Sequence, residues 1–204
     1  MNLPNKLSIL RMVLIPVTLL FMLPIKIYGF EPAAWNSFIS EHGMLIAAIV
    51  FIIASLTDFF DGQIARRKNL ITDLGKFLDS LADKVLIISI LLAFIALGRI
   101  SAWFVFIIVL REFMVTGIRL IASSKGVVMA AKMIGKVKTT TQMIAVIYMM
   151  FEPVLMKSFG FDGHYPLATC PVTVIGDILF IISVIMTIIS GLDYLLKNKN
   201  YLTE

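Results

Sequence analysis

Residues 44–66 read MLIAAIVFIIASLTDFFDGQIAR and carry no charged side chain before Asp58. A helix needs about 20 mostly apolar residues to cross a bilayer, and this stretch is long enough. Backbone groups inside lipid must find partners within their own segment, which favours a helix. Five further stretches share this length and character, at roughly 9–28, 77–97, 102–122, 134–151 and 172–196. The sequence therefore predicts an all-α polytopic membrane protein with six transmembrane helices.

The composition of the whole chain indicates the same class. Of its 204 residues, 59% are hydrophobic and 15% are charged, and the mean hydropathy of +0.96 lies well outside the range of soluble domains. We expect a single membrane domain over residues 1–204. Met1–Ser8 mixes polar and apolar residues, which predicts a short interfacial helix at the N-terminus. The connections at about 29–43 and 152–171 are predicted to be loops.

Basic residues set the expected orientation. If both termini face the cytoplasm, only Lys26, Arg99 and Lys157 among the 18 lysines and arginines lie on the far side. This distribution follows the positive-inside rule, so we expect a multi-pass protein of the plasma membrane. The net charge of +5 has the same explanation, and we expect no nucleic acid as a partner.

Four carboxylates lie at the end of one predicted span and the start of the next: Asp58, Asp61, Asp79 and Asp83. Spacings of three and four residues place each pair on one face of a helix, and the short connection predicts that both pairs meet at the cytoplasmic end. Converging carboxylates in a poorly solvated site need a cation among them. Oxygen ligands without His or Cys favour magnesium, manganese or calcium. The alternative is a set of surface acids paired with Arg66, Arg67 and Lys84.

The residues between the carboxylates include small side chains at regular intervals. Gly62 directly follows the second aspartate and Gly75 lies four residues before the third, so neither has a side chain where a ligand or a neighbouring helix approaches. Ala65 continues the small face. Arg66, one turn beyond Gly62, can direct a guanidinium at phosphate oxygens near a metal. Together these residues predict the floor of a pocket.

This pattern reproduces the signature of the CDP-alcohol phosphotransferases, whose fixed positions fall here at Asp58, Asp61, Gly62, Ala65, Arg66, Gly75, Asp79 and Asp83. The amino-terminal residues Asn2–Asn5, Ser8 and Arg11 also resemble that family. Three later segments resemble in particular its bacterial phosphatidylglycerophosphate synthases: Arg111–Phe113, Gly117–Arg119 and Lys132–Thr141.

The resemblance implies a reaction in which the phosphatidyl group of CDP-diacylglycerol passes to the sn-1 hydroxyl of glycerol 3-phosphate, with release of CMP. It implies Mg²⁺ or Mn²⁺ held by the four aspartates. It also implies that Asp83 is the general base toward the attacking hydroxyl. The expected contacts of the CDP group are the small face and the amino-terminal segment: Asn5, Ser8, Asp61, Gly62, Ala65, Arg66 and Gly75.

The phosphate of the acceptor calls for cations separate from the metal. Arg111 and Arg119 are eight residues apart on the fourth span and share one face, and Lys132 and Lys136 are four residues apart just beyond it. An arginine as deep as Arg111 should face the protein interior, bonded either to substrate or to Glu112 and backbone. We expect the four basic residues to bind the acceptor phosphate.

Several alternatives remain open at this level. Related enzymes use inositol phosphate, serine or phosphatidylglycerol as the acceptor, and intramembrane prenyltransferases also bind pyrophosphate through aspartates and magnesium. A divalent-cation transporter is another class with intramembrane carboxylates, although here basic residues bracket the acids near one surface. Lys125, Lys138 and the tail lysines are expected to contact anionic headgroups of membrane lipids. The family resemblance implies a homodimer.

Overall fold

The computed structural model describes residues 3–67, 73–125, 133–161 and 170–198, with side chains for 7–57, 75, 77–125, 133–161 and 170–198. Within that part of the chain the only pairing of extended backbone is a single bridge between Ile27 and Phe30. The helices are α1 (Leu3–Met22), α2 (Ala33–Phe38), a π-helical turn (Ile39–Gly43), α3 (Met44–Arg67), α4 (Asp73–Ala96), α5 (Ala102–Ser124), α6 (Met133–Ser158) and α7 (Pro171–Lys197). The predicted all-α class is confirmed, and six of these helices are long.

Two of the predicted local features are wrong. No separate interfacial helix precedes the first span, because Leu3 already belongs to α1. Pro4 does not interrupt the helix there, since a proline in the first turn removes an N–H that has no intrahelical partner. At its other end α1 stops at Met22 rather than near residue 28, and Pro24 follows directly after the last turn.

The second half of the expected loop at 29–43 is helical. α2, the π-helical turn and α3 follow one another without a break. Asn36 holds the start of this helix to the preceding connection, because its side chain accepts from the Ile25 N–H at 2.9 Å and donates to the Ile25 carbonyl at 3.1 Å. The polar residues of this segment interrupt the apolar run, so apolar length did not predict this helix. Likewise, α6 continues to Ser158, beyond the predicted start of the next loop.

The described stretches differ in how well they fit a membrane span. Ala33–Thr57 and Pro171–Lys197 are long and apolar enough to cross a bilayer, and Leu7–Met22 is a shorter apolar helix. α7 also exposes a series of large apolar side chains, as expected of a helix in contact with lipid: Ile175, Ile178, Ile181, Ile182, Ile185, Ile188, Ile189 and Leu192. These features favour a membrane protein, and the number of six crossings stays a prediction.

The chain forms two compact units. The first comprises Met1–Ile100 with Pro153–Lys157, and in it α1 packs against both α3 and α4. Alanine is frequent among the fully buried residues of the two later helices: Ala47, Ala48, Ala54 and Ala82. Small buried side chains allow helix backbones to approach closely. α1 is therefore the element that joins the two aspartate-bearing helices.

The second unit comprises Ser101–Glu152 with Ser158–Glu204. In it α5 packs against α7, with an edge-to-face contact between Phe104 and Phe180 at a ring separation of 6.0 Å. α6 is tied to α7 by a hydrogen bond from the Tyr148 hydroxyl to the Val172 carbonyl at 3.0 Å. The predicted acceptor residues Arg111 and Arg119 lie on α5 of this unit. A single membrane domain over residues 1–204 stays a prediction.

Candidate active site

Asp79 and Asp83 lie one turn apart on α4, and a single arginine side chain contacts both. Nη1 of Arg11, on α1, donates to Oδ1 of Asp79 at 3.2 Å and to Oδ1 of Asp83 at 2.8 Å. The Arg11 side chain is completely buried, whereas the two aspartate side chains are 43% and 50% exposed. The guanidinium therefore reaches the carboxylates from the interior of the unit, and the carboxylates extend outward from it.

Helix geometry explains why Arg11 reaches this place. α1 packs against α4, and Ser8 and Arg11, three residues apart, share the face of α1 that is buried. A buried arginine in an otherwise apolar helix is costly unless a carboxylate and hydrogen-bond acceptors compensate its charge. The two aspartates provide that compensation. Ser8, a predicted contact of the CDP group, lies buried in α1, and its role stays a prediction.

Most of the predicted CDP-binding and metal-binding residues are placed only by their backbone. Asp58, Asp61, Gly62, Ala65 and Arg66 belong to the last turns of α3, and Asn5 belongs to the first turn of α1. Their side chains lie outside the described residues. Gly75 is described and lies one turn before Asp79 on α4. The convergence of all four carboxylates on one metal therefore stays a prediction.

Asp79 and Asp83, the two of the four aspartates whose side chains are described, are suited to bind a hard divalent cation. Both side chains offer only oxygen donors, which suits Mg²⁺ or Mn²⁺. Asp79 and Asp83 together carry two negative charges, whereas Arg11 supplies one positive charge, so the trio retains a net negative charge. The Asp79 and Asp83 side chains are 43% and 50% exposed. A cation can thus approach Asp79 and Asp83 without displacing buried side chains.

The alternative of surface acids paired with nearby cations receives a mixed result. Lys84 donates to the carbonyl and hydroxyl of Ser80, at 3.2 and 2.8 Å. The side chains of Arg66 and Arg67 lie outside the described residues. Two of the acids do pair with an arginine, but it is the buried Arg11 of another helix and not one of the expected surface residues.

A second charged cluster lies in the other unit, around Arg111. Its Nη1 donates to Oε1 of Glu112 at 2.9 Å, and its Nη2 donates to the hydroxyl of Ser190 on α7. Lys138 on α6 contacts the same Glu112 oxygen. The Glu112 carboxylate therefore joins α5 to α6, and the Arg111 guanidinium joins α5 to α7. Arg111 faces the interior, as expected from its depth, and contacts Glu112, which was the alternative to substrate; its binding of phosphate stays a prediction.

α7 is shaped to receive the Arg111 side chain. Gly191 lies so close that a Cβ there would be 2.9 Å from Cγ of Arg111. Ser190, next to it, is buried and provides the hydroxyl that accepts from the guanidinium. Nε of Arg111 is buried and has no hydrogen-bond acceptor among the described residues.

The structure does not support the expected role of Lys138 in binding lipid headgroups. Its side chain is only 5% exposed and forms an ion pair with Glu112. The expectation came from its position near a cytoplasmic end in the sequence. Helical rotation decides the outcome, because Lys138 lies on the buried face of α6 together with Gln142, Ala145 and Met149.

Arg119 is an exposed member of the predicted acceptor group. Its Nε donates to the Tyr194 hydroxyl at 3.3 Å, and its guanidinium carbon lies 5.5 Å from the centroid of the same ring. Tyr194 is buried beside Val115 and Ile118. Lys136 is exposed on α6, and Lys132 lies outside the described residues. The predicted acceptor residues thus divide into the interior Arg111 and the exposed Arg119 and Lys136.

No site role was predicted for Arg11, Ser190, Gly191 or Tyr194. Arg11 had a signal, since a single arginine amid an apolar span needs a carboxylate partner. The α7 residues had none, because serine, glycine and tyrosine are ordinary components of a membrane helix.

Comparison with known proteins gives the family of the chain. The family model of CDP-alcohol phosphatidyltransferases matches residues 1–189. The chain is 40% identical over 198 residues to a protein of Bacillus subtilis (strain 168), which covers 97% of this chain and 95% of the relative. It is 32% identical to a protein of Rickettsia bellii over 98% of this chain and 97% of the relative, and 31% identical to one of Shigella flexneri serotype 5b over 95% and 93%. All three relatives carry the name CDP-diacylglycerol--glycerol-3-phosphate 3-phosphatidyltransferase. The chain belongs to the CDP-alcohol phosphatidyltransferase family.

Proposed function

We propose that this protein is an enzyme that transfers the phosphatidyl group of CDP-diacylglycerol to glycerol 3-phosphate in phospholipid biosynthesis. The observation that carries the proposal is the similarity over nearly the whole chain to relatives named for that reaction, at up to 40% identity. The Asp79–Asp83 pair on one face of α4 supports it, because such carboxylates can hold the divalent cation that neutralises the pyrophosphate in phosphoryl transfer. Family membership also favours an enzyme over a cation transporter.

In the proposed reaction the sn-1 oxygen of glycerol 3-phosphate forms a bond to the phosphatidyl phosphorus. The bond from that phosphorus to the CMP oxygen breaks, and CMP leaves. Asp83 takes the proton of the attacking hydroxyl, and its 50% exposed side chain can reach a substrate bound outside the unit. Asp58, Asp61, Asp79 and Asp83 would hold Mg²⁺ or Mn²⁺, which would neutralise charge on the pyrophosphate.

The CDP group is proposed to bind at the small face of α3 and the neighbouring turns of α1 and α4. Gly62, Ala65 and Gly75 leave room for it, and Asp61 and Arg66 provide polar contacts. Ser8 supports this assignment because it is buried on the same face of α1 as Arg11, which contacts Asp79 and Asp83. Asn5, one turn earlier, completes the proposed set.

The acceptor phosphate is proposed to bind Arg119, Arg111, Lys132 and Lys136. Arg119 is supported by its exposure and by the Tyr194 ring that orients it. Arg111 is supported by its Nε, which is buried without an acceptor among the described residues. A dianionic phosphate would satisfy such donors by charge-assisted hydrogen bonds.

The setting of the reaction follows from the same proposal. CDP-diacylglycerol is a membrane lipid, and the basic connections of the chain favour a multi-pass protein of the plasma membrane with its site toward the cytoplasm. A homodimer is implied by the family resemblance.

The test is a CMP-release assay on purified protein in lipid nanodiscs. CDP-diacylglycerol, glycerol 3-phosphate and MgCl₂ or MnCl₂ should yield CMP and phosphatidylglycerophosphate, and EDTA should stop both. Inositol phosphate, serine and phosphatidylglycerol, supplied in parallel, identify the acceptor. CMP release with one of these and not with glycerol 3-phosphate would overturn the acceptor assignment, and no release with any alcohol would overturn the reaction.

A further inference from the structure

One nitrogen of Arg11 contacts both aspartates of α4. Nη1 lies 3.2 Å from Oδ1 of Asp79 and 2.8 Å from Oδ1 of Asp83. Two carboxylates that contact the same nitrogen are close enough to repel each other. The shared nitrogen offsets that repulsion and limits how each carboxylate can rotate. Arg11 thus fixes the relative orientation of two side chains that are one turn apart.

The exposures of the three side chains show from which side Arg11 acts. Arg11 is 0% exposed, whereas Asp79 and Asp83 are 43% and 50% exposed. The guanidinium lies behind the carboxylates as seen from outside the unit. A cation that enters from outside therefore meets the carboxylates without passing the arginine.

We propose that Arg11 is a positioning residue for Asp79 and Asp83, which holds their carboxylates in the orientation that binds a divalent cation. The inference rests on the proposed function in one respect, namely that these aspartates bind such a cation. Partners that orient metal ligands from behind commonly matter about 10- to 100-fold for metal affinity. The predicted class of ligand is Mg²⁺ or Mn²⁺, and the predicted effect of losing Arg11 is weaker binding.

A different role for Arg11 predicts the opposite sign. If the guanidinium were only a counter-ion that the metal must compete with, its removal would take away a repulsive positive charge. Metal affinity would then rise. The direction of the change therefore separates positioning from competition.

The test measures binding of Mn²⁺ alone to metal-free protein by the loss of the free Mn²⁺ electron paramagnetic resonance signal. Arg11→Gln should weaken Mn²⁺ binding by about 10-fold or more. Arg11→Lys keeps a buried cation but loses the reach of the planar guanidinium, so its loss of Mn²⁺ affinity should be smaller. If Arg11→Gln does not fold, Arg11→Lys takes its place in the test. Lys84→Gln is the matched control, since it removes the same charge next to Asp83 in sequence from a side chain that contacts Ser80.

Unchanged or tighter Mn²⁺ binding in both Arg11 variants would overturn the proposal, as would an equal loss in Lys84→Gln. Absence of Mn²⁺ binding by the unmodified protein would also overturn it. These outcomes are independent of CMP release. A protein that binds Mn²⁺ in an Arg11-dependent way but releases no CMP would refute the proposed reaction and leave the role of Arg11 standing.

Discussion

Arg119 donates to the hydroxyl of Tyr194, and its guanidinium also lies within cation–π distance of that ring. The guanidinium carbon is 5.5 Å from the ring centroid, and Nε is 3.3 Å from the hydroxyl oxygen. Tyr194 itself is held in a buried apolar cluster with Val115 and Ile118. An exposed arginine on α5 is thus oriented by a rigid aromatic ring on α7.

If Arg119 binds the acceptor phosphate, Tyr194 should influence acceptor binding. Tyr194→Leu keeps the apolar cluster but removes the aromatic ring, and should raise the KM for glycerol 3-phosphate roughly 2- to 5-fold, the value of an exposed cation–π contact. Tyr194→Phe keeps the ring and should raise this KM less. Arg119→Gln should raise it more than either Tyr194 variant. Steady-state kinetics with each substrate varied in turn provide the measurement, and an unchanged KM for glycerol 3-phosphate in Arg119→Gln would assign Arg119 a structural role.

Asp83 should be essential for turnover. Asp83→Asn preserves the size of the side chain but removes its ability to accept the hydroxyl proton, so kcat should fall by at least about 100-fold. Glu31→Gln is the control, because Glu31 is an exposed acid whose contact with Lys26 is long, at 3.9 Å. Near-normal CMP release by Asp83→Asn would exclude Asp83 as the base.

Glu112 should be important for stability because it compensates two interior cations. Glu112→Gln would leave Arg111 and Lys138, which are 12% and 5% exposed, without their carboxylate. Removing one partner of a buried ion pair costs about 3–5 kcal/mol. Thermal unfolding of the detergent-solubilised protein should show a clear decrease in Tm.

The same experiment has an internal rescue and a surface control. Adding Lys138→Met to Glu112→Gln removes one of the two cations that contacted this carboxylate and should restore part of the lost Tm, which is the coupling expected of side chains in contact. Glu41→Gln should change Tm little, since Glu41 is 62% exposed and lies 3.9 Å from Lys157. If the Tm changes of the two single substitutions simply add in the double variant, the proposed coupling is contradicted.

Gly43 should not tolerate a side chain. A Cβ at this position would meet the carbonyl oxygen of Phe21 in α1 and the side chain of Ile39. Because the nearest obstacle is backbone, the helices must shift, and Gly43→Ala should cost about 1–3 kcal/mol as overpacking does. In Gly135→Ala the new Cβ would have nothing within 4 Å, so this control should be neutral or slightly stabilising. Equal Tm values for the two variants would contradict the close approach of α1 to the π-helical turn.

Much of the fold was predictable because it depends on local properties of the chain. The length of an apolar run predicts a membrane helix, and the six long helices lie close to the predicted stretches. The errors occurred where apolar length is a poor guide: at Pro4, which a first turn accommodates, and at residues 33–43, where polar side chains lie on a continuous helix.

The candidate site was predictable in its residue types and spacing. Asp79 and Asp83 lie on one face of α4 because four residues make about one helical turn, and this much holds for any α-helix. The different environments of Arg111 and Arg119 were not predictable in the same way. Both share one face by spacing, yet one is bonded inside the unit to Glu112 and Ser190 while the other is exposed beside Tyr194.

The sequence by itself determined the class of the protein, the aspartate spacing and the family resemblance, because each depends on residues that are near one another along the chain. Only the tertiary structure decided that Arg11 holds Asp79, 68 residues away, and that Lys138 pairs with Glu112. These contacts depend on how each helix is rotated against its neighbours. That rotation results from packing of whole faces, to which buried alanines and glycines contribute along with the charged residues.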